Sequence, residues 1–380
     1  MSKSQRSALI MTITGLMSVL FLVTIGLSQT VRSPIQLTTS PPVGQFYPFE
    51  AEATKPQSPT LLTLTARNSA GELLANSLFK VQIFTPPNTP FLATDFPVVE
   101  GTTLLELAAI APEGKVQFQQ MLPIRGKYKL LVNVTPIAAN QFSPIEQTLT
   151  LDVPENPVKY RNYAILLVVL LAVGIGGGWV MGKQSLPQRG EIAPVRVRLL
   201  LSGAVLVAIA SLLVVNVSAE VSKSHDHFHA TPEETTVSNN SQLQVQISGD
   251  NYARVGELAN LQVSAIDAKT NQPLTDVTFK LKTTQLEDNW VAFAYEGIPD
   301  ATGKLKWQQQ FFDGAPHKLE VEAIPNSANS QFKPIVATEE IEVAAVATPL
   351  PNRLISFGYL IGTVIIGLAI GLTSRRRILV

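Results

Sequence analysis

Four stretches of the chain are unbroken in apolar and small residues, and the segments between them alternate apolar and polar positions with a period of two. The unbroken runs are residues 8–28, 163–182, 199–219 and 354–374, and none holds Asp, Glu, Lys, Arg or His. A bilayer core about 30 Å thick needs roughly 20 residues of helix, so each run is long enough to cross a membrane. Lys3 and Arg6 precede the first run, and Gly26 and Ser28 suit cleavage of a secretory signal. That run exceeds the roughly 7–15 apolar residues usual in such a signal, which favours a retained anchor over 1–29.

The alternating segments are strands half-buried against a core. In the first external stretch they read LLTLTAR (61–67), SLFKVQIF (77–84), KVQFQQML (115–122), KYKLLVNV (127–134) and EQTLTLDV (146–153). In 127–134, Leu130, Val132 and Val134 share one face, and Leu131 is the apolar exception on the other. TVRSPIQLTTSPPVGQ reads as a linker, and FTPPNTPFLATDFP as a long proline-rich loop. In the second external stretch the strands are LQVQIS (243–248), ANLQVSAID (259–267), DVTFKLKTT (276–284), NWVAFAYEG (289–297), GKLKWQQQFF (303–312), HKLEVEAI (317–324) and TEEIEVAAV (338–346). Each stretch is expected to form an immunoglobulin-like antiparallel β-sandwich of about seven strands.

The two stretches repeat one another. ARNSAGELLANSLFKVQ (66–82) parallels AIDAKTNQPLTDVTFKLK (265–282), EGKVQFQQ (113–120) parallels TGKLKWQQ (302–309), and ANQFSPI (139–145) parallels NSQFKPI (329–335). A similar shift, about 190 residues, carries the first apolar run onto the third and the second onto the fourth. The unit written twice is helix, sandwich, helix, which is a domain duplication and not a solenoid period.

The expected fold class is therefore a membrane-anchored all-β protein with two immunoglobulin-like sandwiches and four transmembrane helices. The segments are an anchor (1–29), a first sandwich (30–158), a helix (159–182), a loop (183–198), a helix (199–219), a His-containing linker (220–240), a second sandwich (241–348) and a final helix with basic tail (349–380). Basic residues in short loops set orientation. Lys3 and Arg6, then Lys183, Arg189, Arg196 and Arg198, then Arg375, Arg376 and Arg377 place both termini and the central loop in the cytoplasm. Lys159, Arg161, Lys223 and Arg353 run against the rule. The sandwiches then lie on the periplasmic or extracellular side.

Composition narrows the function classes. Only 15 % of residues are charged, Lys plus Arg equal Asp plus Glu at 29 each, and mean hydropathy is +0.20. No global field points to nucleic acid. Cysteine is absent, which excludes disulfides and thiolate chemistry. No Walker, GxSxG, HExxH or dinucleotide fingerprint is present, and no enzyme is expected. Glu339 and Glu340 are adjacent on a strand and so face opposite ways, read as a solvated strand edge.

Three of the four histidines, His225, His227 and His229, lie in HDHFH. Residues two apart in extended chain point the same way, and imidazole suits Zn(II), Cu(II) and Ni(II). Asp226, Glu233 and Glu234 add oxygen donors. A His-rich polar linker without metal, or a pH-responsive one, is the alternative. His317 opens a strand, its counterpart in the first copy is Tyr128, and it is expected at a surface or strand end. Trp290, Tyr295 and Trp307 read as core or rim aromatics. Gly174, Gly178 and Gly182, then Gly358 and Gly362, then Gly367 and Gly371 recur every four residues. Small residues so spaced let membrane helices approach closely, which points to a membrane-protein partner or self-association through these faces; generic glycine enrichment of membrane helices is the alternative.

At LQVSAIDAKTNQPLTDVTFKLK and DATGKLKWQQQFFDGAPHKLEVEA the second copy resembles the YtkA-like and FixH-like group of exported β-sandwich domains, over roughly 240–346 and more faintly 59–155. The turn reads NQPLTDV, without the glycine of that pattern. The resemblance implies membrane-associated modules linked to metal or respiratory-complex handling, and it transfers no catalytic residue. The expected function is an integral membrane protein presenting two duplicated binding modules outside the cytoplasm, with a metal contact through the three histidines. The alternative is a structural scaffold subunit of a larger membrane complex without metal.

Overall fold

The computed structural model describes residues 33–51, 53, 57–139, 141–181, 197, 200, 201, 203, 236–239, 243–326 and 333–378. The first half contributes β1 (Ile35–Ser40), β2 (Thr60–Ala66), β3 (Ser77–Phe84), β4 (Thr103–Ala111), β5 (Lys115–Gln120), β6 (Gly126–Pro136) and β7 (Ile145–Val153), followed by helix α1 (Pro157–Met181). The second contributes β8 (Thr236–Asn239), β9 (Leu243–Gly249), β10 (Tyr252–Arg254), β11 (Leu258–Asp267), β12 (Val277–Gln285), β13 (Val291–Gly297), β14 (Lys304–Gln310), β15 (His317–Pro325) and β16 (Ile335–Ala344), then helix α2 (Leu350–Ile378). Strict inward alternation drives these strands. In β2, Leu62, Leu64 and Ala66 are buried while Leu61, Thr63 and Thr65 are half-buried on the other face.

Among the described residues the protein is mostly β, built from two eight-stranded sheets. Sheet order is β1-β2-β5-β13-β12-β15-β16-β10 in the first and β7-β6-β3-β4-β14-β11-β9-β8 in the second. Both sheets run through both halves. The sandwiches were expected as separate modules; instead β5 pairs antiparallel with β13, and β4 with β14. The two seams carry matching registers. Phe118 faces Tyr295 and Gln120 faces Phe293 on one sheet; Trp307 faces Leu107 and Gln309 faces Leu105 on the other. Since Trp307 is the repeat counterpart of Phe118, the halves are related by a pseudo-two-fold axis, as in an isologous dimer. Four strands that would be free edges in lone sandwiches pair with each other, which removes templates for aggregation.

A single core runs across the seams and includes Phe118, Tyr295, Phe293, Trp307, Leu105 and Leu107. Complete burial of such a side chain stabilises by about 1.5–3 kcal/mol. The lead-in read as a linker holds β1, which pairs with β2 from Ile35↔Ala66 to Ser40↔Leu61. The polar stretch before the second sandwich likewise contains β8, paired with β9.

Among the described residues, Pro157–Met181 and Leu350–Ser374 are long and apolar enough to cross a membrane. The first expected span and nearly all of the third lie outside the described residues. The two helices follow the last strands of their halves, β7 and β16, and pack against each other. A Cβ on Gly174 would stand 3.0 Å from the Cα of Gly367 and 2.5 Å from the Val364 carbonyl oxygen. One on Gly178 would stand 3.0 Å from the Cα of Gly371. The expected glycine faces thus meet, Gly174 with Gly367 and Gly178 with Gly371, repeating the pseudo-two-fold in the helices. Gly358 and Gly362 face open space, and Gly182 lies outside the described residues.

Candidate functional site

Across the β4–β14 seam, the outer face of the second sheet forms a groove of about 730 Å³. Strand alternation sets its lining. Trp307 and Leu107 turn inward, so Lys306, Gln308 and Glu106 turn outward with Lys80 and Gln82 from β3 and Asn260 and Gln262 from β11. The side chains hold one another in place. Gln82 Nε2 donates to Glu106 Oε1 at 3.1 Å, Gln308 Nε2 to Asn260 Oδ1 at 2.6 Å, and Gln262 Nε2 to Ser248 Oγ at 3.2 Å. Leu131, the outward apolar exception in β6, is half-buried in this lining beside Asn133, whose Oδ1 is buried and has no hydrogen-bond partner among the described residues. A row of amides with Lys80, Lys306, Glu106 and Glu146 around a small apolar patch can hydrogen-bond a polar partner surface. Sequence reasoning missed this site; Leu131 was its one visible signal.

A second constellation lies at the end of the sheets from which the helices leave. Trp290 stacks on Phe312 with ring centroids 5.1 Å apart, and Phe49 of the first half lies 4.6 Å from Trp290. Phe96 meets Phe312 edge-on at 5.2 Å. Thr102 of the first half and Gln310 of the second are hydrogen-bonded, Gln310 Nε2 donating to Thr102 Oγ1 at 2.8 Å and to the Gly256 carbonyl at 2.8 Å. Gly256 has φ +91°, and a Cβ there would stand 2.8 Å from Val98 Cγ1, so glycine is required where the first half's loop crosses onto the second.

His317 is not at the surface. It opens β15, is 1 % exposed and lies between Trp290 and Phe311. Its Nδ1 is 2.7 Å from the Ala315 carbonyl, which can only accept, so Nδ1 carries the proton. Burial lowers its pKa to about 4. Tyr128 holds the corresponding place in the first half, its hydroxyl donating to the Ile124 carbonyl at 2.7 Å and accepting the Ile124 N–H at 3.0 Å. Asp313 accepts from Gln285 Nε2 at 3.3 Å, Gln285 lying opposite His317 in the β12–β15 pair, and has a raised pKa through burial and then the Glu287 charge. Glu339 also differs from expectation. It is 9 % exposed on the inward face of β16, while Glu340 is exposed.

His225, His227 and His229 lie outside the described residues, as does the linker that holds them. Among the described residues no group of three His, Cys, Asp or Glu side chains is placed to hold a metal ion.

No protein-family model matches the chain and no curated protein does, so the resemblance to the YtkA-like and FixH-like group rests on the residues quoted for it. Among solved structures, the chain is similar to a copper-bound variant of FetP from uropathogenic Escherichia coli, at 9 % identity and TM-score 0.22, covering 30 % of this chain and 97 % of that one. It is also similar to the D0–D1 domain of intimin, at 11 % identity and TM-score 0.19 over 81 % of this chain and 97 % of that one. A trypsin-activated α2-macroglobulin from Escherichia coli matches at 10 % identity and TM-score 0.21, covering 81 % of this chain and 16 % of that one.

Proposed function

We propose that the protein is a membrane-anchored docking platform, in which two fused β-sandwiches outside the cytoplasm present the seam groove to a partner of a membrane complex. The observation that carries this reading is the composite origin of the groove. Lys80, Glu106 and Asn133 come from the first half and Asn260, Gln262 and Gln308 from the second, so only the joined halves build it. Packed glycine faces couple that surface to the bilayer, and the partner is itself a membrane protein in this reading. Both termini are cytoplasmic, following the basic loops.

Photo-crosslinking in the native membrane tests the proposal. A photoreactive residue at Gln82 or Gln308 is expected to capture one partner polypeptide, and Glu106→Lys to abolish the capture. The same probe at Gln119, the pseudo-two-fold counterpart of Gln308 on the first sheet, is expected to capture none. Equal adducts from both sheets, or no adduct from the groove, would refute it.

A second reading adds a transition metal. It is supported by the spacing of His225, His227 and His229, which suits Zn(II) or Cu(II) in extended chain beside the membrane.

A further inference from the structure

The pseudo-two-fold is broken at one connection. Residues 85–102 join β3 to β4, whereas their counterpart, residues 286–290 between β12 and β13, is a short turn. The extra length runs along the helices. Lys159 in the first turn of α1 is ion-paired with Asp95. Arg125, bonded to Glu155 at 2.8 Å, also donates to the Leu92 carbonyl at 2.8 Å. The tip reaches further down, where the Tyr359 hydroxyl of α2 donates to the Phe91 carbonyl at 2.9 Å. Phe91 is 70 % exposed and Leu92 62 %, side by side on a tip that nothing else among the described residues covers.

Tyr359 fixes the depth of that tip. In the membrane orientation proposed above, on which this inference rests, the basic tail after Ser374 marks the cytoplasmic boundary, and at 1.5 Å per residue Tyr359 lies about 22 Å along the helix from it. A hydrocarbon core about 30 Å thick then ends roughly 8 Å beyond its Cα. Helical side chains lean toward the helix N-terminus, here the outer surface, which carries the hydroxyl close to that boundary. Tyr160 and Tyr163 on α1 are also exposed near the outer end of their helix, as expected of an interfacial aromatic belt.

We infer that the Phe91–Leu92 tip inserts into the outer interface of the lipid bilayer, a point of attachment to one side of the α1–α2 pair, and fixes the tilt of the sandwiches over the membrane. α1 and α2, packed along one axis, do not by themselves set the tilt of the body above them. A contact on one side of that axis sets it, and of the two equivalent connections the first half's, residues 85–102, is the long one.

The chain has no cysteine, so single labelling sites are unambiguous. Spin labels at Phe91→Cys, Leu92→Cys and, at the far end of the sandwich, Leu73→Cys would be placed in the full chain in phosphatidylcholine–phosphatidylglycerol vesicles. The ratio of oxygen to aqueous nickel-chelate collisions is expected to be several-fold higher at 91 and 92 than at 73. An aromatic-preserving variant gives a second readout. Phe91→Trp in a Trp179→Phe background is expected to add emission that headgroup-proximal brominated lipid quenches. Labels at 91 and 92 as open to the chelate as at 73, or shielded from both quenchers, would overturn the inference, as would unquenched Trp emission.

Discussion

Tyr295 of the second half lies directly opposite Phe118 of the first across the β5–β13 seam, and the pseudo-two-fold repeats the pair as Leu107 opposite Trp307 on the other sheet. All four side chains are within the one core. Truncating Phe118 to Ala is expected to cost about 3–5 kcal/mol. The loss should register in both halves. Trp290 and Trp307 both belong to the second half, so their fluorescence during denaturant unfolding should show the lowered midpoint of a substitution made in the first. Independent sandwiches would leave that midpoint unchanged.

The helix pair makes a paired prediction. Gly178→Leu places a side chain against the Leu368 carbonyl and the Cα of Gly371, and overpacking of this kind costs about 1–3 kcal/mol or more. Gly362→Leu adds the same side chain where nothing lies within 4 Å and is expected to stay within about 0.5 kcal/mol of the native protein. Unfolding of the detergent-solubilised chain by a denaturing surfactant would compare them. Equal effects would mean that the two helices do not meet through Gly174, Gly178, Gly367 and Gly371.

His317 gives a pH dependence of defined sign. Burial holds it neutral, with a pKa of about 4 in the folded state against 6.5 ordinarily. Between those values the unfolded chain binds the proton and the folded one does not, so stability falls as pH drops from about 6.5 to 4 and levels below. The span corresponds to roughly 3 kcal/mol. His317→Gln is expected to flatten this window by one proton's slope, measured as the unfolding midpoint against pH. Asp313 contributes with the opposite sign, since its raised pKa binds a proton in the folded state at pH values where the unfolded carboxyl has lost it.

Local patterns made the strands legible and hid the way the halves join. KYKLLVNV and LQVQIS alternate cleanly and form β6 and β9. Thr103–Ala111, TLLELAAIA, went unread because Leu105, Leu107 and Ala109 alternate within a run that is apolar on both faces. Its other face holds Glu106 among Leu104, Ala108 and Ile110, so the contrast between the faces is weak. Ile35–Ser40 was masked by flanking prolines that end the strand without preventing it. Nothing in period-two alternation marks which strands are edges, so the β5–β13 and β4–β14 pairings had no sequence signature beyond the repeat itself. Trp307, which reads from sequence as a core or rim aromatic, is buried, and it packs at a seam between halves. The buried setting of His317 depends on Trp290 and Phe311, which only the fold brings to it.

For the histidine linker the expectation concerns metal affinity. Calorimetric titration of the full chain in detergent with Zn(II) and Cu(II) is expected to show micromolar or tighter binding that His225→Ala, His227→Ala and His229→Ala together remove. Weak binding unchanged in the triple variant would sink the metal reading and leave the docking platform standing.

The most direct test of the fused platform is hydrogen exchange of the seam amides in the full chain in lipid nanodiscs. The backbone groups of Gln119, Ala294, Glu106 and Gln308 sit in paired strands at the two seams. They are expected to exchange as slowly as those of β3 and β12 in the sheet interiors, through one shared opening event. Seam amides that exchange as fast as those of the terminal strands β7 and β10, while each half's interior stays protected, would show two separate sandwiches and contradict the account.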